Sequence, residues 1–532
     1  MADHTSKVIS TALSSAAAQQ RQLLTSRTFA LLALGGLLQT IGEALALGAP
    51  GALPAGSALL IFGSVTPGVL LLCFAIRRQA KESASDARQD GEASLFAQST
   101  RFARLARAGL LALLLLGALW TAATGGALLI QHPLDPAIYD SDAAAFIQYQ
   151  GEDVLHGVNP YTDSAGFWQA IQQFPNAGAT PLQRGQFAGL PFSPDDNSIT
   201  ALLRKYAHHP NLAGPEFDPA SLHSYPAGAF LLAVPFLWAG FPSTQPLYLL
   251  SLLLLLALLV RCTPRGQRWQ TLLLCASCSI PIALTLRSSF EVICILCILG
   301  AWRSQERHPW LSAGLMGLGC AVKQLAWLFL PFYLIWIASR WGWRRAAVSG
   351  ALCALVFFAI NAPFLLNAPA AWASSMLLPI LEPAFPGGIG LITLAQGGWM
   401  PLLSSWVYTT LEMLAYLGLL GWYTARQFRA KAGRKYDDQT EASALVLAAL
   451  PLLLAWRSLI SYTMFLPILA LAAVLQQAAS QQPEPAYQAS DQLKPPEASR
   501  KSANRKWIKN WQLHLYSRVK HQHIGEILSK QR

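Results

Sequence analysis

Two carboxylates and three isolated cations are the residues of this chain whose types and placement point to chemistry. Asp140 and Asp142 stand in Ile138-Tyr139-Asp140-Ser141-Asp142, just past the apolar run Gly109 to Ile130 and at the head of a long polar stretch, 131–225. Far along the chain, Arg287, Lys323 and Arg457 interrupt or end other apolar runs. Charges at membrane depth are costly and are functional candidates by default. Arg and Lys can hold a phosphate, Arg through a planar fork and Lys as a point charge. A carboxylate within hydrogen-bond reach can take the proton of a hydroxyl nucleophile. Gathered on one side, the five residues describe a site for a lipid phosphate and a reacting hydroxyl. If that side lies outside the cytoplasm, where no nucleotide-sugar pool exists, a sugar must arrive on a lipid carrier and pass through an oxocarbenium-like state during transfer.

The elements that must position these residues are membrane helices. Of 532 residues, 53% are hydrophobic and only 12% are charged, against about 25% charged in soluble domains, which excludes a set of soluble domains. The net charge of +12 comes mainly from Arg and Lys in short loops and at the two ends. That pattern follows the positive-inside rule rather than nucleic-acid binding, so no nucleic-acid partner is expected. Apolar runs at 28–48, 57–76, 109–130, 246–261, 270–286, 289–302, 309–322, 324–338, 346–366, 404–424, 442–456 and 459–477 are the candidate spans. Placing Arg77-Arg78, Arg261 to Arg268, Arg303 with Arg307, Arg340 to Arg345 and Arg426 to Lys435 all inside works only if the further apolar run 226–241 does not cross. We read that run as re-entrant or interfacial. The loops 131–225 and 367–403 and the turns holding Arg287, Lys323 and Arg457 then share the outer side.

Residues 1–26 carry no apolar core, so no cleaved signal peptide is expected and the amino terminus is expected to stay inside. The eight cysteines lie in or beside apolar runs, and the C-x-x-C pairs Cys275/Cys278 and Cys294/Cys297 have no nearby histidine cluster; small apolar packing is the expectation, not a disulfide framework or zinc. No H-E-x-x-H, Walker or paired His/Asp signature occurs, so no metal or other cofactor is expected. The tail 504–532 mixes Trp507, Trp511, Leu513 and Leu515 with Lys and Arg, the makings of a basic amphipathic helix on an anionic leaflet or of a disordered basic tail.

The pattern Asp142-x-x-x-Phe146, followed by Leu155-His156-Gly157-Val158-Asn159-Pro160-Tyr161, resembles the first outer loop of membrane glycosyltransferases of the C-type superfamily. The likeness is greatest to the bacterial polyprenyl-phosphomannose-dependent mannosyltransferases. Ser224-Tyr225-Pro226-Ala227-Gly228-Ala229 and Gly314-Leu315-Met316-Gly317-Leu318-Gly319-Cys320-Ala321-Val322-Lys323-Gln324 follow in the expected order, and the resemblance covers 105–477. It implies an all-α polytopic fold, a bundle of about 12 (11–13) transmembrane helices with a large first outer loop containing short helices. It also implies a multi-pass plasma-membrane enzyme with an extracytoplasmic catalytic face. Such an enzyme moves a sugar, with mannose expected, from a polyprenyl phosphate carrier to a glycan or glycolipid acceptor; inversion at the anomeric carbon is expected because a single base implies one in-line displacement. By the same likeness Asp142, with Asp140 as its close competitor, is the general base. Lys323 corresponds to the family's membrane lysine, and Arg287 and Arg457 join it as donor-phosphate ligands. His156, Asn159, Tyr161 and Tyr225 are the substrate-binding candidates. The chain departs from many relatives at Ala227, where they carry a second proline, and at Leu286-Arg287-Ser288-Ser289, where they carry a Gly/Asn-rich turn.

The expected organisation is 1–107, a cytoplasmic amino terminus with two added membrane helices and a basic loop; 108–478, the catalytic membrane core; and 479–532, a flexible basic cytoplasmic tail. Each polar residue also has a plainer reading. Asp140 or Asp142 can cap a helix beginning near Ala143, Lys323 can snorkel from a span end, and Arg287 and Arg457 can anchor lipid headgroups. The rival from another class is a secondary transporter or lipid translocase whose intramembrane cations bind an anionic substrate. No inverted repeat supports it, and the large polar loop suits an acceptor platform better.

Overall fold

The computed structural model describes residues 26–47, 52–86, 101–131, 139, 141–163, 166–175, 177, 180–194, 199, 206, 224–431 and 443–479. Asp140 and the expected tail from 480 onward lie outside these residues, as do 1–25.

The chain is an all-α polytopic membrane protein. Six of its described helices are long and apolar enough to cross a bilayer, and a seventh span is possible if the bent pair Arg265–Ser277 and Ser279–Leu286 counts as one. The long ones are carried by α1 (Ser26–Leu47), α2 (Ala55–Asp86), α3 (Arg101–Gln131), and, further on, Gln245–Cys262, Trp343–Asn367 and Ile460–Gln477. Between α3 and Gln245 the described residues fold into short pieces: α4 (Asp142–Leu155), α5 (Gly166–Gln173), α6 (Gly228–Leu231) and α7 (Val234–Trp238). Together α6 and α7 form one short apolar helix, Gly228–Trp238, about 16 Å long at 1.5 Å per residue. Its length falls far short of the about 30 Å hydrocarbon core.

The remaining core helices are α8 (Gln245–Cys262), α9 (Arg268–Ser277), α10 (Ser279–Leu286), α11 (Glu291–Ser304), α12 (Pro309–Val322), α13 (Leu325–Trp341), α14 (Trp343–Asn367) and α15 (Pro369–Leu381). After α15 come β1 (Gly387–Gly388), α16 (Ile392–Gln396), α17 (Ser405–Lys431), α18 (Ala444–Leu447), β2 (Arg457–Ser458), α19 (Ile460–Thr463) and α20 (Leu466–Ala479). The expected span 270–286 is broken at Cys278, with a 66° bend. Pro281 sits in the first turn of α10, where its missing N–H costs nothing. The expected span 442–456 is α18 followed by a 3-10 turn, Leu450–Leu454, and not one continuous helix. Helices as short as α11 and α12 are tolerated because protein, not lipid, surrounds them: ten residues of α11, from Glu291 to Trp302, are buried.

Two features tie distant segments to the core. The strands β1 and β2 pair in parallel, Gly387 with Arg457 and Gly388 with Ser458. Gly388 has φ 124°, and a Cβ there would overlap the Ser458 carbonyl, so the pairing needs glycine. The helices α1 and α2 pack on each other and on α20. The backbone N–H of Leu53 donates to Gln396 O at 3.1 Å, the Trp399 indole donates to Ala55 O at 2.8 Å, and the Gln39 amide donates to Thr463 O at 2.7 Å.

Candidate active site

The three motifs that carry the resemblance meet at one place. Tyr161, at the end of the first, is buried and donates its hydroxyl to the carbonyl of Tyr225 at 2.8 Å. Its ring packs edge-on against Phe230 and Phe364. Gln324, at the end of the third motif, donates to Ser224 O at 2.6 Å. Gly228 lies so close to α12 that a Cβ there would sit 2.5 Å from the Ala321 carbonyl oxygen. Asn361 of α14 accepts the Ala227 N–H at 3.0 Å and the Trp372 indole N–H at 3.0 Å. Asn159 uses both ends of its amide: Oδ1 accepts from Tyr161 N at 3.1 Å, and Nδ2 donates to Asn367 Oδ1 at 2.9 Å. The Ser224-to-Gly228 segment is thus pinned from four elements, and Tyr225 is held at the centre.

Asp142 is the first residue of α4, not its cap: Ser141 holds the cap position without a side-chain hydrogen bond. One carboxylate oxygen of Asp142 accepts the Ala143 N–H at 2.8 Å, and the other accepts the Thr180 N–H from the loop at 2.7 Å. Two backbone donors fix the carboxylate plane while leaving each oxygen a further acceptor site. The side chain is half-buried.

Lys323 ends α12 with an extended backbone and is 4% exposed. Its ammonium is ion-paired with Glu291, the first residue of α11, also 4% exposed. Three rings complete the enclosure: Phe290 at 4.5 Å from Nζ to the centroid, Tyr462 at 5.3 Å and Tyr225 at 5.8 Å. Cation–π attraction is strong where the cation is desolvated. The second Glu291 oxygen accepts the Ser289 hydroxyl. The turn leading into Glu291 contains Ser288 at φ 69°, among the described residues the one non-glycine in the left-handed region, a conformation that costs about 1–3 kcal/mol and clusters at functional sites. Arg287 ends α10 in the same turn, which Gln245 secures by donating to Leu286 O at 2.9 Å.

Arg457 is half-buried in β2. Among the described residues no ion-pair partner is found for its guanidinium. Its charge, with those of Asp142 and Glu291, bears on the Tyr225 hydroxyl: burial drives the phenol well above its ordinary pKa first, Tyr462, Asp142 and Glu291 push it further up, and Arg457 pulls it down. The expected residues Asp142, Tyr225, Lys323 and Arg457 are therefore close enough to share one electrostatic environment. Tyr161 and Asn159 order the loop around it, whereas His156 ends α4 as an exposed residue. Sequence reasoning missed Glu291, Phe290, Tyr462 and Asn361. For Glu291 a signal existed: it is a lone acid at the start of an apolar run, four residues after Arg287.

Residues 223–378 match the family model described as Glycosyltransferase family 87. The match includes Tyr225, Arg287, Glu291 and Lys323, and it leaves Asp142 and Arg457 outside. No curated protein and no solved structure matches the chain. The matched stretch, under a third of the 532 residues, supports a membrane glycosyltransferase of the C-type superfamily.

Proposed function

We propose that this protein transfers a sugar, mannose by the resemblance of its motifs, from a polyprenyl phosphate carrier to a hydroxyl of a glycan or glycolipid on the extracytoplasmic face of the plasma membrane. The observation that carries the reading is that the Lys323 ammonium lies 5.8 Å from the Tyr225 ring, while the charges of Asp142 and Arg457 both bear on the Tyr225 hydroxyl. Asp142 takes the proton of the acceptor hydroxyl as its oxygen forms the bond to the anomeric carbon. The bond from that carbon to the phosphate oxygen breaks, and its electron pair leaves with the phosphate. Arg457 and Arg287, with Lys323 behind them, stabilise the charge that builds there. One displacement inverts the anomeric centre. The two backbone donors that hold the Asp142 carboxylate support its role as base, and neither metal nor cofactor has a step in the scheme.

The test is transfer of radiolabelled sugar from synthetic polyprenyl phosphomannose, with glucose and arabinose carriers beside it, to a broad acceptor extract by purified protein. Transfer that is lost in folded Asp142→Asn and reduced in Lys323→Ala supports the assignment. Wild-type protein that transfers none of the three sugars overturns it, and labelling that puts Lys323 and Asp142 on opposite faces of the membrane does the same.

A further inference from the structure

The carboxylate beside Lys323 is the feature of this site that a simple phosphate clamp does not need. A clamp built only from cations holds whichever phosphate carries more charge. Sugar transfer turns the carrier's phosphodiester, with one negative charge, into a phosphomonoester carrying about −1.5 to −2 at pH 7. An all-cation site would therefore hold its product more firmly than its substrate.

Glu291 changes that balance. Its carboxylate touches the Lys323 ammonium, and both side chains are only 5% exposed, so bulk solvent screens the charge weakly. The contact is fixed on every side. Ser289 occupies the second oxygen of Glu291, the strained Ser288 sets the turn, and Phe290, Tyr462 and Tyr225 wall the ammonium. An anion that approaches Lys323 must also approach Glu291, and repulsion between like charges at such separations is large in a weakly screened site.

We propose that Glu291 is a positioning and specificity residue for the lipid phosphate: paired with Lys323, it admits the singly charged phosphodiester donor and disfavours the more highly charged phosphomonoester product, so that the spent carrier leaves. The inference rests on the carrier-phosphate reading above. It assigns Lys323 an oriented N–H for the phosphate with little net attraction, and leaves Arg457 as the principal attracting charge.

Binding of two probes to the full-length protein in nanodiscs tests this without any sugar transfer: a polyprenyl phosphate, and its methyl phosphodiester of the same chain length. Wild type is expected to bind the monoester no more than about threefold more tightly than the diester, and Glu291→Gln to favour the monoester by about tenfold or more. In turnover the same variant shows an initial burst of one transfer per protein, then slow release. Glu291→Asp, which keeps the charge, is expected to retain the wild-type ratio within about threefold. A wild-type preference for the monoester above about tenfold overturns the proposal with no variant needed. So does a Gln variant whose ratio is unchanged, or an Asp variant that shifts as far as Gln, since a packing role would produce either. Wild type that binds neither probe removes the carrier-phosphate reading itself; binding of both with no change in Glu291→Gln removes this inference alone.

Discussion

The Tyr161 hydroxyl reaches the Tyr225 carbonyl at 2.8 Å and so joins the loop after α4 to the segment that faces Lys323. Removing that hydroxyl leaves a part-buried carbonyl without its partner while the ring contacts with Phe230 and Phe364 persist. Tyr161→Phe is expected to cost about 1–3 kcal/mol, read as a lower unfolding midpoint in detergent. It is expected to raise the KM for acceptor and donor through a looser Tyr225.

Gly228 leaves no room for a methyl group, because the atom it would meet is a backbone carbonyl of α12 and cannot rotate away. Gly228→Ala is expected to cost about 1–3 kcal/mol by overpacking and to lower transfer by shifting the Ser224-to-Gly228 segment off Lys323. Gly314, with nothing within 4 Å of a Cβ, is the control: Gly314→Ala is expected to leave both stability and transfer near wild type.

Arg457 is the half-buried cation whose charge reaches Tyr225. Arg457→Ala is expected to lower kcat by about 10²–10³-fold, the cost of removing one preorganised donor from developing charge. Arg457→Lys restores the charge but not the planar fork, so it is expected to recover only part of the loss. Equal rates for all three proteins would exclude Arg457 from the phosphate site.

Asp153, in α4, is pushed up to about 7, first by burial, then by the charges of Asp163 and Glu152, with His156 acting the other way. A carboxyl whose folded pKa is raised stabilises the fold fully below its unfolded value, near 4, and loses that contribution as pH rises through about 7. The packing of α4 is thus expected to weaken from about pH 4 to pH 7. Hydrogen exchange in α4 at pH 5 and pH 8 measures this, and Asp153→Asn is expected to flatten the difference.

Residue types and hydropathy made the helical class legible, along with the grouping of Asp142, Tyr225 and Lys323, because these depend on local composition and on motif order. The Glu291–Lys323 pair was not legible. Its partners come from the starts and ends of different helices, and only tertiary packing brings Phe290, Tyr462 and Tyr225 around one ammonium. The break at Cys278 and the subdivision of 442–456 were hidden for a similar reason: apolar runs read alike whether a helix is straight, bent or wound as 3-10. The two-residue strands β1 and β2 carry no period that a sequence could display.

That strand pair sets a time as well as a place. Gly387 emerges from the ribosome long before Arg457, and their pairing also requires Gly388 to slide under the Ser458 carbonyl. Until α19 and α20 have entered the bilayer, Gln39 has no Thr463 to grip and the arginine has no fixed address. The β1–β2 pairing, and with it the proposed position of Arg457, is therefore complete only once the segment from Arg457 through α20 is in place.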